Sequence, residues 1–170
     1  PVDGVLADLG VSSHQFDVAE RGFSFRFDAG LDMRMNRDTD LTAFDVVMNY
    51  DEGDLLRVFR EYGELKNAYS VASRIVYRRK DEVIDTIEKL KSVLESLAPR
   101  GKFNTFYAKV FQSLRIEVND EMGALREFLE KSTDVVKEGG RLVVITYHSL
   151  EDRMVKNFIK SGNIVGKLDK

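Results

Sequence analysis

A chain of 170 residues, 43% hydrophobic and 32% charged, has material for a buried core, and no apolar stretch approaches the roughly 18 residues of a membrane span. The absence of cysteine excludes disulfides, thiolate metal sites and cysteine nucleophiles together, and predicts a cytoplasmic setting. The net charge of -3 conceals a segregation: residues 1–54 carry 12 acidic and 4 basic side chains, whereas residues 57–115 carry 7 acidic and 13 basic.

Val2–Ala7 reads as a first strand, ended abruptly by Asp8 and followed by glycine, two serines, a histidine and a glutamine. From Gln15 to Arg37 the sequence is irregular. Thr42 with Asp45 predicts a capping box for a short helix. Leu55, Leu56, Val58, Phe59 and Tyr62 make one helical face, and Ala68, Val71, Ala72, Ile75 and Val76 repeat the spacing. Asp85 with Glu88 is read as the cap of a third helix, with face Ile87, Leu90, Leu94 and Leu97 and a stop at Pro99-Arg-Gly.

The apolar positions from Tyr107 through Leu114 and Met122 to Leu129 predict one helix over about 105–136, or two broken near Asn119-Asp120. Glu-Gly-Gly is expected to end it. Arg141–Tyr147 is a β-branched run of the kind found in buried strands, and Ser149 is placed as the N-cap of a last helix, with Asp152 at its third position. Helix, diglycine, buried strand and capped helix together predict an α/β sheet.

Two polar clusters, 8–17 and 148–153, thus follow the C-terminal ends of strands, the edge at which open parallel sheets bind ligands. If the strands are adjacent, Asp8, Ser12, Ser13 and Gln15 face one crevice with His148 and Ser149; the plainer alternative is ordinary turn and cap chemistry. Gly10-Val-Ser12-Ser13-His14 has no second glycine where a nucleophile elbow needs one. Two distant histidines argue against zinc, and Asn36, Asp38 and Asp40 lack the glycine and bidentate glutamate of a calcium loop, so no metal is expected. Neither a G-x-G-x-x-G nor a P-loop occurs. The acid-free stretches LKNAYSVASRIVYRRK (65–80) and LAPRGKFNTFYAKVFQSLRI (97–116) are either solvated helix faces or a phosphate-binding surface.

DGVLADLGVSSHQFDVAERGFSF with LDMRMN, FQSLRIEVNDEM, and GGRLVVITYHSLEDRMVK resemble the bacterial MraW family in content and order. These are S-adenosylmethionine-dependent methyltransferases that modify the N4 amine of a cytosine in 16S ribosomal RNA of the small subunit. The resemblance implies a Rossmann-like methyltransferase sheet interrupted by a helical insertion. Residues 1–16 and 110–170 would belong to the core, and 17–109 to an RNA-facing insertion. It places Asp8 and Gln15 on the cofactor, S-adenosyl-L-methionine. Ser12 and Ser13 are candidates for holding the target amine, since in-line transfer to a delocalised nitrogen depends mainly on positioning.

The flipped cytosine would be received by Phe23 and Phe25 beside Arg21, unless RGFSF is a loop pinned to the core by its aromatics. Arg78, Arg79, Lys80, Arg100 and Lys102 would meet the ribosomal RNA. His148 and Ser149 are read as shaping the pocket, because an aromatic amine loses its proton easily once methylated. The sequence departs from the family pattern at His14 for proline, Phe16 for leucine, and Thr146-Tyr147 for Ser-Phe. The family's glycine-rich cofactor loop and its last strands lie outside these residues. The chain therefore reads as a central portion, inactive by itself, whose open sheet a second copy would cover as a homodimer. The alternative is a non-catalytic RNA-binding or ribosome-docking module.

Overall fold

A computed structural model describes residues 1–12, 15 and 17–167. In chain order the elements are β1 (Val2–Asp8), α1 (Ala43–Asn49), α2 (Glu52–Glu61), α3 (Ala68–Arg78), α4 (Ile87–Leu94), α5 (Phe103–Asn119), α6 (Glu121–Val135), β2 (Val136–Ile145) and α7 (Ser149–Ser161), with single 3-10 turns at Ala19–Arg21 and Glu95–Leu97. The chain is α/β, rich in helix, with a small parallel sheet. It forms two compact units, Pro1–Val11 with Asp120–Lys170, and Ser12–Asn119. These divisions fall at 11/12 and 119/120, where the family resemblance implies 16/17 and 109/110; α5 goes whole into the helical unit, with its buried face in that unit's core.

In the first unit β1 and β2 are adjacent and parallel, pairing from Gly4 with Arg141 to Asp8 with Ile145, which meets the condition for a shared crevice at the strand ends. The strand tips are therefore side by side. Side chains alternate: Leu142 and Val144 turn to the cluster of Leu125 and Leu129 on α6 and Val155 on α7. Leu6, Val143 and Ile145 turn to the other face and are exposed, Leu6 by 68%. Helix α6 thus packs back on the sheet.

Glu-Gly-Gly does not end the helix. Helix α6 stops at Val135, and β2 begins at Val136 and runs through the diglycine. Between the pairs Val2–Val136 and Gly4–Arg141, β1 contributes only Asp3 while β2 contributes residues 137–140. Gly139 takes φ +78°, and a Cβ on Gly140 would stand 2.9 Å from the Asp3 carbonyl. The glycines make a bulge where the sequence suggests a terminator.

In the second unit the predicted apolar faces are the buried ones: Leu55, Val58 and Phe59 on α2, Val71, Ala72 and Ile75 on α3, Ile87, Leu90 and Leu94 on α4. Thr42 and Asp45 form the capping box of α1, Thr42 Oγ1 accepting from the Asp45 N–H at 3.2 Å and Asp45 Oδ2 from the Thr42 N–H at 2.9 Å. The cap of α4 is Thr86, not Asp85. Thr86 has the extended backbone a cap requires, whereas the Asp85 carboxylate is taken by Lys89 at 2.7 Å and its carbonyl by the Leu31 N–H at 3.1 Å. The long apolar run resolves into two helices, separated at Asp120, whose φ of 45° is left-handed.

Candidate functional site

Asp8 is the last residue of β1 and is exposed at the strand tip. Its Oδ1 accepts a hydrogen bond from the Tyr147 hydroxyl at 2.8 Å. The bond to Asp8 and its negative charge, with burial a lesser cause, raise the Tyr147 phenol above its ordinary value. Tyr147 lies two residues beyond the end of β2, so the parallel pairing of the strands brings these residues together across 139 positions of sequence.

Tyr147 is itself anchored. Its backbone N–H donates to Glu151 Oε2 at 2.9 Å, and its ring packs on Gly10, where a Cβ would come within 3.2 Å of the ring. Gly10 adopts φ +89°, which also favours glycine. Glu151 is 3% exposed, the one buried charged residue among the described residues. Burial pushes its carboxyl up, but the His148 side chain and the Tyr147 N–H outweigh that, leaving it below its usual range.

His148, rather than Ser149, is the N-cap of α7, its Nδ1 accepting from the Glu151 N–H at 3.4 Å. Ser149 is the first helical residue, and Glu151, not Asp152, occupies the third position. An imidazole nitrogen does here what a hydroxyl does in most caps, and the carboxylate at the third position returns to the chain just before the cap. His148 Nε2 lies 3.2 Å from Glu151 Oε1 but off the line of a hydrogen bond, which leaves this buried nitrogen without a hydrogen-bond partner among the described residues.

Single donor atoms of Glu121, His148 and Glu151 lie within 4.8 Å of one another, the one grouping among the described residues with metal-ligand composition. His148 Nδ1 accepts from the Glu151 N–H, and Glu151 Oε2 is committed to the Tyr147 N–H. Two of the atoms in and beside this grouping, His148 Nδ1 and Glu151 Oε2, already accept backbone N–H groups at the start of α7.

The remaining candidates lie in the helical unit. Gln15 Oε1 accepts from the Ser12 N–H at 2.8 Å, and the Gln15 N–H donates to the Ser12 carbonyl at 3.0 Å, closing a local turn. Ser13 lies outside the described residues, as do His14 and Phe16. Arg21 donates to the carbonyls of Arg34 and Met35 at 2.9 and 3.0 Å and lies over the Phe23 ring. Phe23 is buried, and Phe25 stacks on Phe111 with centroids 5.7 Å apart.

Among the basic residues, Arg78 pairs with Glu82 at 2.5 Å, and Arg79 donates to the Val47 carbonyl at 2.9 Å. Lys80, Arg100 and Lys102 are exposed. A cleft of about 390 Å³ lined by Val5, Ala124, Phe128 and Val135 includes none of the residues singled out from sequence. Sequence reasoning misses Gly10, Tyr147 and Glu151; a glycine two residues past the strand-end acid is the available signal for the first.

Comparison with known proteins gives this geometry a context. The chain is 58% identical over 169 residues to a protein of Flavobacterium psychrophilum named Ribosomal RNA small subunit methyltransferase H, covering 99% of this chain and 58% of that protein. It is 57% identical to the protein of the same name from Bacteroides thetaiotaomicron, covering 99% and 55%, and 52% identical to that of Cytophaga hutchinsonii, covering 99% and 57%. The chain thus spans somewhat more than half the length of these relatives. The sequence pattern of the MraW methylase family matches residues 1–167. With a match over nearly its whole length, the chain belongs to the MraW methylase family.

Proposed function

We propose that these residues form the central part of a methyltransferase that transfers a methyl group from S-adenosyl-L-methionine to the N4 amine of a cytosine in 16S ribosomal RNA. The observation that carries this reading is the family match over residues 1–167, joined to relatives named for methylation of small-subunit ribosomal RNA. The unit containing β1, β2, α6 and α7 belongs to a Rossmann-like core, and the helical unit to an insertion facing RNA in a cytoplasmic protein.

Asp8 and Gln15 hold the cofactor, whose ammonium and ribose hydroxyls are donors suited to a carboxylate and an amide oxygen. Bound S-adenosylmethionine supplies an electrophilic methyl group. Ser12 and Ser13 orient the exocyclic amine toward it, and Arg21, Phe23 and Phe25 hold the loop beside the flipped base. His148 and Ser149 shape the pocket through the start of α7. Lys80, Arg100 and Lys102, with Arg78 and Arg79, form the phosphate-facing surface.

The test is methyl transfer from labelled S-adenosylmethionine to small ribosomal subunits by the protein at the full length of its relatives, with nucleoside analysis of the product. N4-methylcytidine in the 16S RNA is expected. Label on another base, or RNA binding with no transfer, would overturn the reading.

A further inference from the structure

We propose that Tyr147, set by the buried His148–Glu151 cap and by the bare backbone of Gly10, is a positioning residue that fixes the Asp8 carboxylate for its ligand. The inference rests on the reading of Asp8 as the cofactor's acid and adds how that acid is held.

Asp8 is exposed at the end of a strand, and a free carboxylate in that position rotates about two side-chain torsions. The Tyr147 hydroxyl, 2.8 Å from Oδ1, removes that freedom and leaves Oδ2 for a donor on the ligand. Groups already held in the bound geometry lose less freedom on binding. The tyrosine holds the acid only as far as it is itself held: its backbone N–H is bonded, and its ring, in a residue 67% exposed, rests along one side on Gly10.

The backbone is fixed from below. Glu151 takes the Tyr147 N–H at 2.9 Å while its own N–H is taken by His148 Nδ1. A carboxylate 3% exposed is a costly thing to bury, and here its oxygens are turned to the residues that precede the helix. The ring is supported along one side. Gly10 presents no Cβ, so the ring lies close against main chain; a Cβ there would stand 3.2 Å from it, and the φ of +89° disfavours any side chain. Cap, glycine and tyrosine converge on a single carboxylate.

The arrangement assigns His148 and Glu151 a purpose other than proton transfer. His148 directs the helix start, Glu151 the residue before it, and Tyr147 the acid at the neighbouring strand tip. The raised phenol of Tyr147 is in keeping with a hydroxyl bound to a carboxylate.

The experiment uses the protein at the full length of its relatives, with calorimetric affinity for S-adenosylmethionine and S-adenosylhomocysteine and the kinetics of methyl transfer. Tyr147→Phe, which keeps the ring, is expected to weaken cofactor affinity by about three- to tenfold, the effect of one well-placed hydrogen bond. It should raise KM for the cofactor with kcat at saturation unchanged. Gly10→Ala, which crowds the ring and strains backbone held at φ +89°, should weaken affinity at least as much. In a double-mutant cycle Tyr147→Phe should have no further effect once Asp8 is alanine.

A direct readout of the clamp is alkaline titration of tyrosinate absorbance, with Tyr147 identified by difference from Tyr147→Phe; Asp8→Asn should bring that phenol down. If Asp8→Ala weakens affinity more than tenfold and Tyr147→Phe leaves it unchanged, the positioning role is overturned while the reading of Asp8 stands. If Asp8→Ala leaves cofactor affinity intact, both are overturned.

Discussion

The side-chain amide of Asn119 and the backbone of Met35 are joined at 2.6 Å, Oδ1 accepting from the Met35 N–H across 84 residues of sequence. The same amide donates to the carbonyls of Met33 and Arg115, both at 2.8 Å. Asn119 closes α5, so the last side chain of the helical unit fastens the irregular loop near its beginning. Met33 in that loop is 1% exposed and holds φ 62°, a left-handed conformation uncommon for a side chain of its size. The loop needs an outside partner to keep that residue buried.

Asn119→Ala is therefore expected to destabilise the protein by about 2–3 kcal/mol, the cost of leaving several backbone groups without partners. Asn119→Asp should be no better, because it keeps the acceptor for Met35 but points an oxygen at two carbonyls. Midpoints of urea unfolding measure both. A loss below about 0.5 kcal/mol for the alanine variant, the range of ordinary surface changes, would show that the loop is held otherwise.

A second lock in this unit predicts a pH dependence. Glu117, whose side chain is 12% exposed, receives Arg57 at 2.7 and 3.3 Å and the Tyr50 hydroxyl at 2.9 Å. Burial and the bond to Glu117 push the Tyr50 phenol up to about 12. A phenol ionises near 10 when the chain unfolds, so its contribution is complete below about pH 10 and is lost as pH rises through about 12. The stability difference between the native sequence and Tyr50→Phe should shrink by up to about 2 kcal/mol across that window, discounted for partial exposure. A difference that stays constant across the same window would contradict it.

The basic surface separates by the company its residues keep. Reversing Lys80, Arg100 and Lys102 to glutamate should weaken binding to 16S RNA and lower the salt dependence of affinity, by roughly 0.7–0.9 in the log-log slope for each phosphate no longer neutralised. Cofactor affinity should not change. Arg79→Ala should act differently, lowering stability by about 1–2 kcal/mol through removal of the bond to the Val47 carbonyl. Filter binding over a range of salt, beside thermal unfolding, distinguishes these outcomes.

The 170-residue chain alone is expected to show no micromolar affinity for S-adenosylmethionine by calorimetry. At the full length of the relatives, Asp8→Ala should weaken cofactor binding more than Ser24→Ala, whose hydroxyl only accepts from the Arg26 N–H within its own turn. Micromolar binding by the short chain would place the whole cofactor site within these residues.

Period and composition are sufficient to find the helices, because burial of one face repeats every three or four residues and tolerates errors in any single position. Caps are harder: the sequence points one residue early at Asp85 and one residue late at Ser149. The choice of cap depends on which residue leaves helical φ and ψ, and at both sites a neighbour of suitable chemistry stands next to the true one. The diglycine misleads because a bulge and a terminator ask the same conformational freedom of glycine.

At the candidate site, Asp8 stands out as an acid ending an apolar run. Tyr147 does not, since its exchange for the phenylalanine of the family pattern looks mild. The hydroxyl's value lies in a partner 139 residues away, which no local pattern records.

The passage from α6 to β2 has no loop: Val135 ends the helix and Val136 begins the strand. A strand has two faces in strict alternation, so one residue inserted at that junction would exchange Leu142 and Val144 for Val143 and Ile145 against the core. The bulge at 137–140 lies between the junction and those side chains. Its glycines, already opposed by a single residue of β1, can take up or give back a residue before the regular pairing begins at Arg141. Length changes in this family should therefore collect at the diglycine, leaving the faces of the strand in phase with the helix behind it.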